Sequence, residues 1–286
     1  MRGVLVVKSP NDLEKAVKKL KQKSERFFVI GGGTNIIAND RGFNGTIIKI
    51  ADNNIKISKN RILCGAGLAL GELIKAANKQ GLAGLETLAG IPGTVGGAIF
   101  GNAGAYGREI SDSLIKIKIF NEEKLSWLPK KECGFNYRES IFKKRPAWII
   151  LGAEFKLKKA SSLYLTKKSK EIITLREKKY KPGIRCAGSI FKNILSVSSV
   201  GKKLMGRIPP EKIIKGKIPA GYLLEQVGAN GMKMGGISVA KHHGNLIVNN
   251  NRGTARDAKM LIEVLKKKIK NRYGVELEEE VQYLGF

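Results

Sequence analysis

The chain has 286 residues, enough for about two domains with cores of their own. Hydrophobic residues make up 42% of it and its 34 glycines are scattered, which fits an ordinary globular protein rather than a disordered one. Fifty-three Lys and Arg against 24 Asp and Glu leave a net charge of +29, which raises the question of a nucleic-acid partner.

The lysines are spread over helix-like stretches, as in Lys15, Lys18, Lys19, Lys21 and Lys23, or Lys266 to Lys268 and Lys270. Only 7% of the residues are aromatic and no nucleic-acid-binding signature accompanies the charge, so no specific nucleic acid is expected. The charge would instead concentrate anionic small molecules. The apolar run within Met1–Lys8 is too short for a secretory h-region, and Cys64, Cys133 and Cys186 form no C-x-x-C pair. Both features predict a cytoplasmic protein without a disulfide framework or zinc site.

Ser9-Pro-Asn-Asp12 reads as a capping box with proline in the first turn, and Leu13, Ala16, Val17 and Leu20 continue it as an amphipathic helix over 10–23. Phe27–Ile30 is a short strand that ends in Gly31-Gly-Gly-Thr-Asn35. Strands are predicted at 46–50, 54–58 and 61–64, followed by a helix over 69–80. Between the last two, Gly65, Gly67 and Gly71, with Glu86 beyond, imitate a dinucleotide fingerprint. The third glycine is one residue late and βαβ repetition is lacking, so a structural strand-to-helix turn is the better reading.

Residues 90–107 hold seven glycines in eighteen positions, one proline and no charge. Glycine costs about 1 kcal/mol and proline about 3 kcal/mol per helical position, so this is a poor membrane span. Bare backbone amides in such a segment suit a pyrophosphate. Strands follow at 114–120 and 148–157. A lysine-rich helix over 160–181 leads into a second domain, and 194–218 is irregular, with Pro209, Pro210 and Pro219 as breakers. Thr254-Ala-Arg-Asp257 caps a helix that runs to about Tyr273 with Gly274 just past its end; 275–284 reads as a final strand. Interleaved helices and strands give an α+β or α/β class. His242 and His243 have no carboxylate or cysteine at ligand spacing and read as a loop or packing pair, so no metal is expected. Taken singly, Ser189 is a turn hydroxyl, Arg138 a surface ion-pair residue, and Glu280, after Glu278 and Glu279, part of a solvated strand edge.

Six motifs in order change those readings. They are Gly31-Gly-Gly-Thr-Asn35, Gly90-Ile-Pro-Gly-Thr-Val-Gly-Gly97, Asn102-Ala-Gly-Ala-Tyr-Gly107, Tyr137-Arg-Glu-Ser-Ile-Phe-Lys143, Ala187-Gly-Ser-Ile-Phe-Lys-Asn193 and Leu277-Glu-Glu-Glu-Val281. Together they resemble the UDP-N-acetylenolpyruvoylglucosamine reductase (MurB) family of peptidoglycan synthesis, from about Val4 to Gly285. The resemblance implies an α+β fold. A FAD-binding domain of the vanillyl-alcohol-oxidase (PCMH) type would span 1–157, in subdomains of about 1–52 and 53–157, and a substrate-binding domain would span 158–286.

It further implies FAD held non-covalently by Gly31, Gly32, Gly33, Thr34 and Asn35, by Gly90, Ile91, Pro92, Gly93, Thr94, Gly96 and Gly97, and by Asn102 and Gly104. Neither glycine turn contains a histidine for a covalent flavin link. NADPH would be the co-substrate and a UDP-sugar the substrate, handled by a monomer. Arg138, Ser189 and Glu280 fall on the family's catalytic positions: Arg138 to hold the substrate carboxylate, Ser189 as proton donor, Glu280 to orient or polarise the carboxylate. Tyr137, Lys192 and Asn193 fall on substrate-binding positions; Glu225 and Gln226 are given no role.

The chain departs from the family in lacking a Thr-x-x-x-Gly-Gly-x-Ala element before the first helix, in Ile194 where proline usually follows the asparagine, and in a longer Leu195–Lys217 stretch. The short span from Phe155 to Ser189 matches the subgroup without an extra tyrosine-bearing loop, and Tyr180 is not assigned to that tyrosine's place. The alternatives are another flavoprotein of the same superfamily and a non-catalytic flavin- or nucleic-acid-binding derivative.

Overall fold

A computed structural model describes residues 3–250 and 252–286. Met1 and Arg2 of the N-terminal stretch lie outside the described residues; Gly3–Val7 is a strand. The chain forms two compact units. The first comprises residues up to Gly33 together with Asn44–Glu177, the second Thr34–Phe43 and Lys178–Phe286.

In the first unit, strand Thr46–Ile50 is flanked by Gly3–Val7 and Phe27–Ile30, both parallel to it. Helix Pro10–Gln22 starts where the capping box places it, with Ser9 Oγ accepting the Asp12 N–H at 3.2 Å. Its apolar stripe, Leu13, Val17 and Leu20, is buried with Val7, Ile48 and Ile50. An antiparallel five-stranded sheet follows, in the order Leu125–Pro129, Leu114–Phe120, Ile149–Lys156, Arg61–Gly65, Ile55–Ser58. Helix Leu70–Lys79 buries Leu70, Leu73, Ile74 and Ala77 in the same core as Phe142 and Phe155. Burial pushes the Cys64 and Cys133 thiols up to about 12, so both are inert at neutral pH.

The glycine-rich segment contains a short helix, Val95–Phe100, which the composition did not suggest. Thr94 caps it by accepting the Gly97 N–H at 3.3 Å, and Val95, Ala98 and Ile99 are buried. Its six residues are far too few to span a bilayer. No helix among the described residues is long and apolar enough to do so.

In the second unit, Lys233–Met234, Ile237–Ala240 and His243–Asn249 form an antiparallel meander. Helix Ala255–Tyr273 buries Ala258, Leu261, Ile262, Leu265, Ile269 and Tyr273, spaced at three and four residues. The Thr254–Asp257 capping box is formed in both directions and Gly274 ends the helix at φ 70°. Two expectations are corrected here. The final strand is only Gln282–Leu284, parallel to Ile36–Ala38. Residues 275–281 instead bury Val275, Leu277 and Val281 with single cross-strand contacts, too irregular for a ladder. The 194–218 stretch is less irregular than its prolines suggest. It holds helix Ser199–Leu204, capped by Ser198, and a two-stranded pair between Ile194–Leu195 and Lys217–Ile218.

Leu261 is fully buried in this core, so Leu261→Ala should cost about 3 kcal/mol of unfolding free energy. Thr254→Ala, which removes one cap acceptor, should cost about 1 kcal/mol. Urea midpoints of the two variants check the ratio; equal losses would mean that helix 255–273 is held by its end rather than its face.

Candidate active site

The two glycine turns of the first unit touch. A Cβ on Gly31 would sit 2.2 Å from Thr94 Oγ1, so any side chain there would force the turns apart. The 65–68 turn braces the second of them. Gly96 N–H donates to Ala66 O at 2.8 Å, Val95 N–H to Leu68 O at 2.9 Å, and Leu70 N–H to Gly93 O at 3.0 Å. Gly65 and Gly67 are needed for packing: a Cβ on either would lie 2.3 Å from Asp52 O or 2.6 Å from the Ala51 backbone. Those glycines are therefore structural, as their spacing indicated.

Asn102 is fully buried at φ 42° and donates from Nδ2 to Glu109 Oε2 at 2.7 Å and to Asn136 O at 2.9 Å. Its Oδ1 has no hydrogen-bond partner among the described residues. A buried acceptor left so costs about 1–3 kcal/mol, which a ligand carrying a donor would recover. Close-set glycines beside an orphaned acceptor fit a ligand that has both a diphosphate and hydrogen-bond donors, as FAD does.

Arg138 lies at the third position of the turn 136–139, closed by Glu139 N–H to Asn136 O at 2.9 Å. Its φ is 56°, a region where such turns ordinarily place glycine. The guanidinium explains the tolerance. Nη2 donates to Gly104 O at 2.7 Å and Nη1 more weakly to Asn102 O at 3.4 Å, which fixes the fork against the glycine-rich segment. Lys143 Nζ donates to the Arg138 carbonyl at 2.6 Å and holds the turn from behind. Backbone strain of about 1–3 kcal/mol retained under a charged side chain is a mark of a functional position. Tyr137 precedes it in the same turn, its ring 5.3 Å from the Arg138 guanidinium carbon.

In the second unit, residues 189–192 run as a short extended segment between two neighbours. On one side Ile190 N–H donates to Asn245 O at 3.2 Å. On the other, Lys192 N–H donates to Glu278 O at 2.8 Å and Glu280 N–H to Ile190 O at 2.7 Å. Ser189 and Glu280 are thereby set on adjacent segments. Gly188, at φ 76°, turns the chain so that Ser189 begins this segment. Asn35 also belongs here: its Nδ2 donates to Glu280 O at 2.9 Å and its carbonyl accepts Gln282 N–H at 2.9 Å. Lys192 is buried and pairs with the Glu278 carboxylate, and Asn193 Oδ1 accepts Ala220 N–H at 3.1 Å at the start of helix Ala220–Gln226.

The acidic run alternates as an extended chain must. Glu278 is exposed and turned to Lys192, while Glu279 is mostly buried and accepts from Lys266 Nζ at 3.0 Å and from the Tyr283 hydroxyl. This is a set of ion pairs, where the sequence alone suggested a solvated edge.

Two residues the sequence left unassigned stand inside this cluster. Tyr180 OH lies 2.9 Å from Ser189 Oγ. Asn245, 3% exposed, grips Phe191 from both ends, its Oδ1 accepting Phe191 N–H at 2.9 Å and its Nδ2 donating to Phe191 O at 2.8 Å. A polar Asn at the head of the apolar run Leu246–Val248 was the available signal for the second; nothing local marks the first. His242 Nε2 pairs with Lys179 O at 2.9 Å. His243 is packed against Gly221, and burial, reinforced by the charges of Lys179 and His242, lowers its pKa to about 4. It is neutral at pH 7, so its 3.8 Å approach to Glu225 is not an ion pair there.

Comparison with known proteins gives a consistent result. Residues 1–123 match the FAD binding domain model, and residues 177–284 match the model of the UDP-N-acetylenolpyruvoylglucosamine reductase C-terminal domain. The chain is similar to the UDP-N-acetylenolpyruvoylglucosamine reductase of Solibacter usitatus, 44% identical over 270 residues, covering 94% of this chain and 86% of that protein. The corresponding Bacillus pumilus protein is 36% identical over 283 residues, with 96% and 86% covered. Among solved structures, the UDP-N-acetylenolpyruvylglucosamine reductase of Thermus caldophilus superposes with a TM-score of 0.76 at 27% identity, over 98% of this chain and 91% of that one.

Two outcomes follow from this geometry. Arg138→Gly should be more stable than Arg138→Ala by about 1 kcal/mol, because only glycine is relaxed at this φ; urea midpoints in the reverse order would contradict the turn geometry. His243 takes up its proton only near pH 4 when folded but near pH 6.5, the ordinary histidine value, when unfolded. Stability should be complete above about pH 6.5 and fall as the pH drops toward 4. His243→Gln should flatten that fall between pH 7 and 5 in denaturant titrations; an unchanged slope would assign it to other groups.

Proposed function

The chain belongs to the UDP-N-acetylenolpyruvoylglucosamine reductase family, and we propose that it reduces UDP-N-acetylglucosamine enolpyruvate to UDP-N-acetylmuramate with NADPH. Gly31, Gly32 and Gly33, with Gly93, Thr94, Asn102 and Gly104, would hold FAD, which when bound supplies the hydride relay between nicotinamide and enolpyruvyl group. The rest of the chemistry falls to side chains of this chain.

Adding hydride to the terminal vinyl carbon puts negative charge on its neighbour and, through conjugation, on the carboxylate. Arg138 answers that charge with a cation already oriented by Gly104, so no reorganisation is needed as the charge develops. Ser189 gives its proton to the charged carbon. Serine is a weak acid, so the step works only toward a strongly basic carbanion or enolate. Glu280 orients the carboxylate, and one of the two carboxyl groups must then carry a proton to avoid repulsion. Lys192, Asn193 and Tyr137 serve the diphosphate and sugar. The setting is the cytoplasm, and the protein works as a monomer on a soluble UDP-sugar, with no membrane or specific nucleic-acid partner.

The observation that carries the assignment of roles is the direct main-chain link between the Ser189 and Glu280 segments, which keeps a proton donor and a carboxylate in fixed register. Purified protein supplied with FAD should be yellow, bleached by NADPH, and restored by the enolpyruvyl substrate in the absence of oxygen. Ser189→Ala should keep the colour and the bleaching but lose about 10²- to 10⁴-fold in the rate of restoration. Failure to take up FAD would overturn the activity; wild-type restoration in Ser189→Ala would overturn the role of the serine alone.

A further inference from the structure

The hydroxyl of Ser189 has one hydrogen-bond partner among the described residues, the phenol of Tyr180 at 2.9 Å. Tyr180 is held there from both sides. The carbonyl before it, that of Lys179, is bound by His242 Nε2 at 2.9 Å; beyond it the chain reverses through Lys181–Ile184, closed by Ile184 N–H to Lys181 O at 3.1 Å. The tyrosine is half-buried.

A hydroxyl has a single proton to give. If Ser189 donated to Tyr180, that proton would be aimed at the phenol oxygen and away from substrate. With Tyr180 donating to Ser189 Oγ, the serine proton is left to turn toward a substrate carbon, and the accepted hydrogen bond makes it more acidic. A phenol is also a much stronger acid than an alkanol, so a proton at Tyr180 can move to a serine alkoxide downhill.

We propose that Tyr180 is the positioning residue of the proton donor: it orients the Ser189 hydroxyl and replaces the proton that the serine gives up. This rests on the role of Ser189 given above. The balance is simple. The Ser189 O–H bond breaks as a C–H bond forms on the substrate; the Tyr180 O–H bond then breaks as Ser189 O–H re-forms, and tyrosinate takes a proton from water. No oxidant or reductant enters, and the proton that ends on carbon is drawn from solvent through two hydroxyls.

Tyr180→Phe tests this on the FAD-loaded enzyme in single turnover. Reduction by NADPH and the substrate concentration giving half-maximal rate should not change. Reoxidation by the enolpyruvyl substrate should slow by about 10- to 100-fold, with an altered solvent deuterium isotope effect and a lost high-pH limb in its rate profile. A wild-type reoxidation rate and isotope effect in Tyr180→Phe, with Ser189→Ala still slow, would overturn this inference and leave the serine's role standing. Wild-type reoxidation in Ser189→Ala would overturn both. Should Tyr180→Phe fail to retain FAD, site-specific 3-fluorotyrosine at 180, nearly isosteric and more acidic, takes its place. The high-pH limb must then move to lower pH, and an unmoved limb would overturn the proposal.

Discussion

The hydrogen bonding of four residues, Ser189 to Lys192, sets the geometry of the residues proposed for the reaction in the second unit. Phe191 is 1% exposed, so its amide and carbonyl need partners, yet the segment is too short to be served by a regular ladder. The Asn245 side chain fills that gap, donating and accepting like one residue of a missing strand. Because the other edge is bonded to Glu278 and Glu280, the same constraint fixes where Ser189 begins, where Lys192 enters the interior, and where Glu280 stands. An amide side chain that meets two main-chain groups at once cannot slide by a residue, so the register of the site is set as firmly as that of a sheet.

The first unit solves its own problem with less polar means. There the turns are brought together by the absence of side chains, at Gly31 against Thr94 and at Gly96 against Ala66, and the charged Arg138 is held on carbonyl oxygens. Chain flexibility at the glycines is removed by packing, and around this site backbone strain falls on Asn102, Tyr106 and Arg138. The strongly basic composition plays little part in this. The acids that find cations in the second unit are concentrated near its last segment, at Glu276 with Lys270, Glu278 with Lys192 and Glu279 with Lys266. Scarce carboxylates are thus spent on fixing one stretch of chain.

Much of this was legible beforehand, and the reasons differ by residue. Both capping boxes, at Ser9 and Thr254, are local devices, and they mark helix starts because the bonds they make lie within three residues. The helix 255–273 stripe was readable because its burial repeats with the helical period. Helix 95–100 was hidden: its stability comes from Thr94 and from contact with the 65–68 turn, while its composition argues against it. The reach of the last strand was overstated because Val275, Leu277 and Val281 alternate correctly, whereas the partner for a full ladder does not exist. Tyr180 could not be found at all from local pattern, since its meaning lies in a 2.9 Å contact made after a chain reversal.

The second unit contains Thr34–Phe43, and strand Ile36–Ala38 pairs with Gln282–Leu284, the two elements lying at opposite ends of the chain. On the ribosome Asn35 is made 245 residues ahead of its partner Glu280. At about 5–20 residues per second, the interval is on the order of tens of seconds. The first unit can close around its sheets during that time, while Asn35 and Asn39 wait for Glu280 and Gly285 to emerge. The Ser189–Glu280 register is therefore among the last features to be completed in biosynthesis.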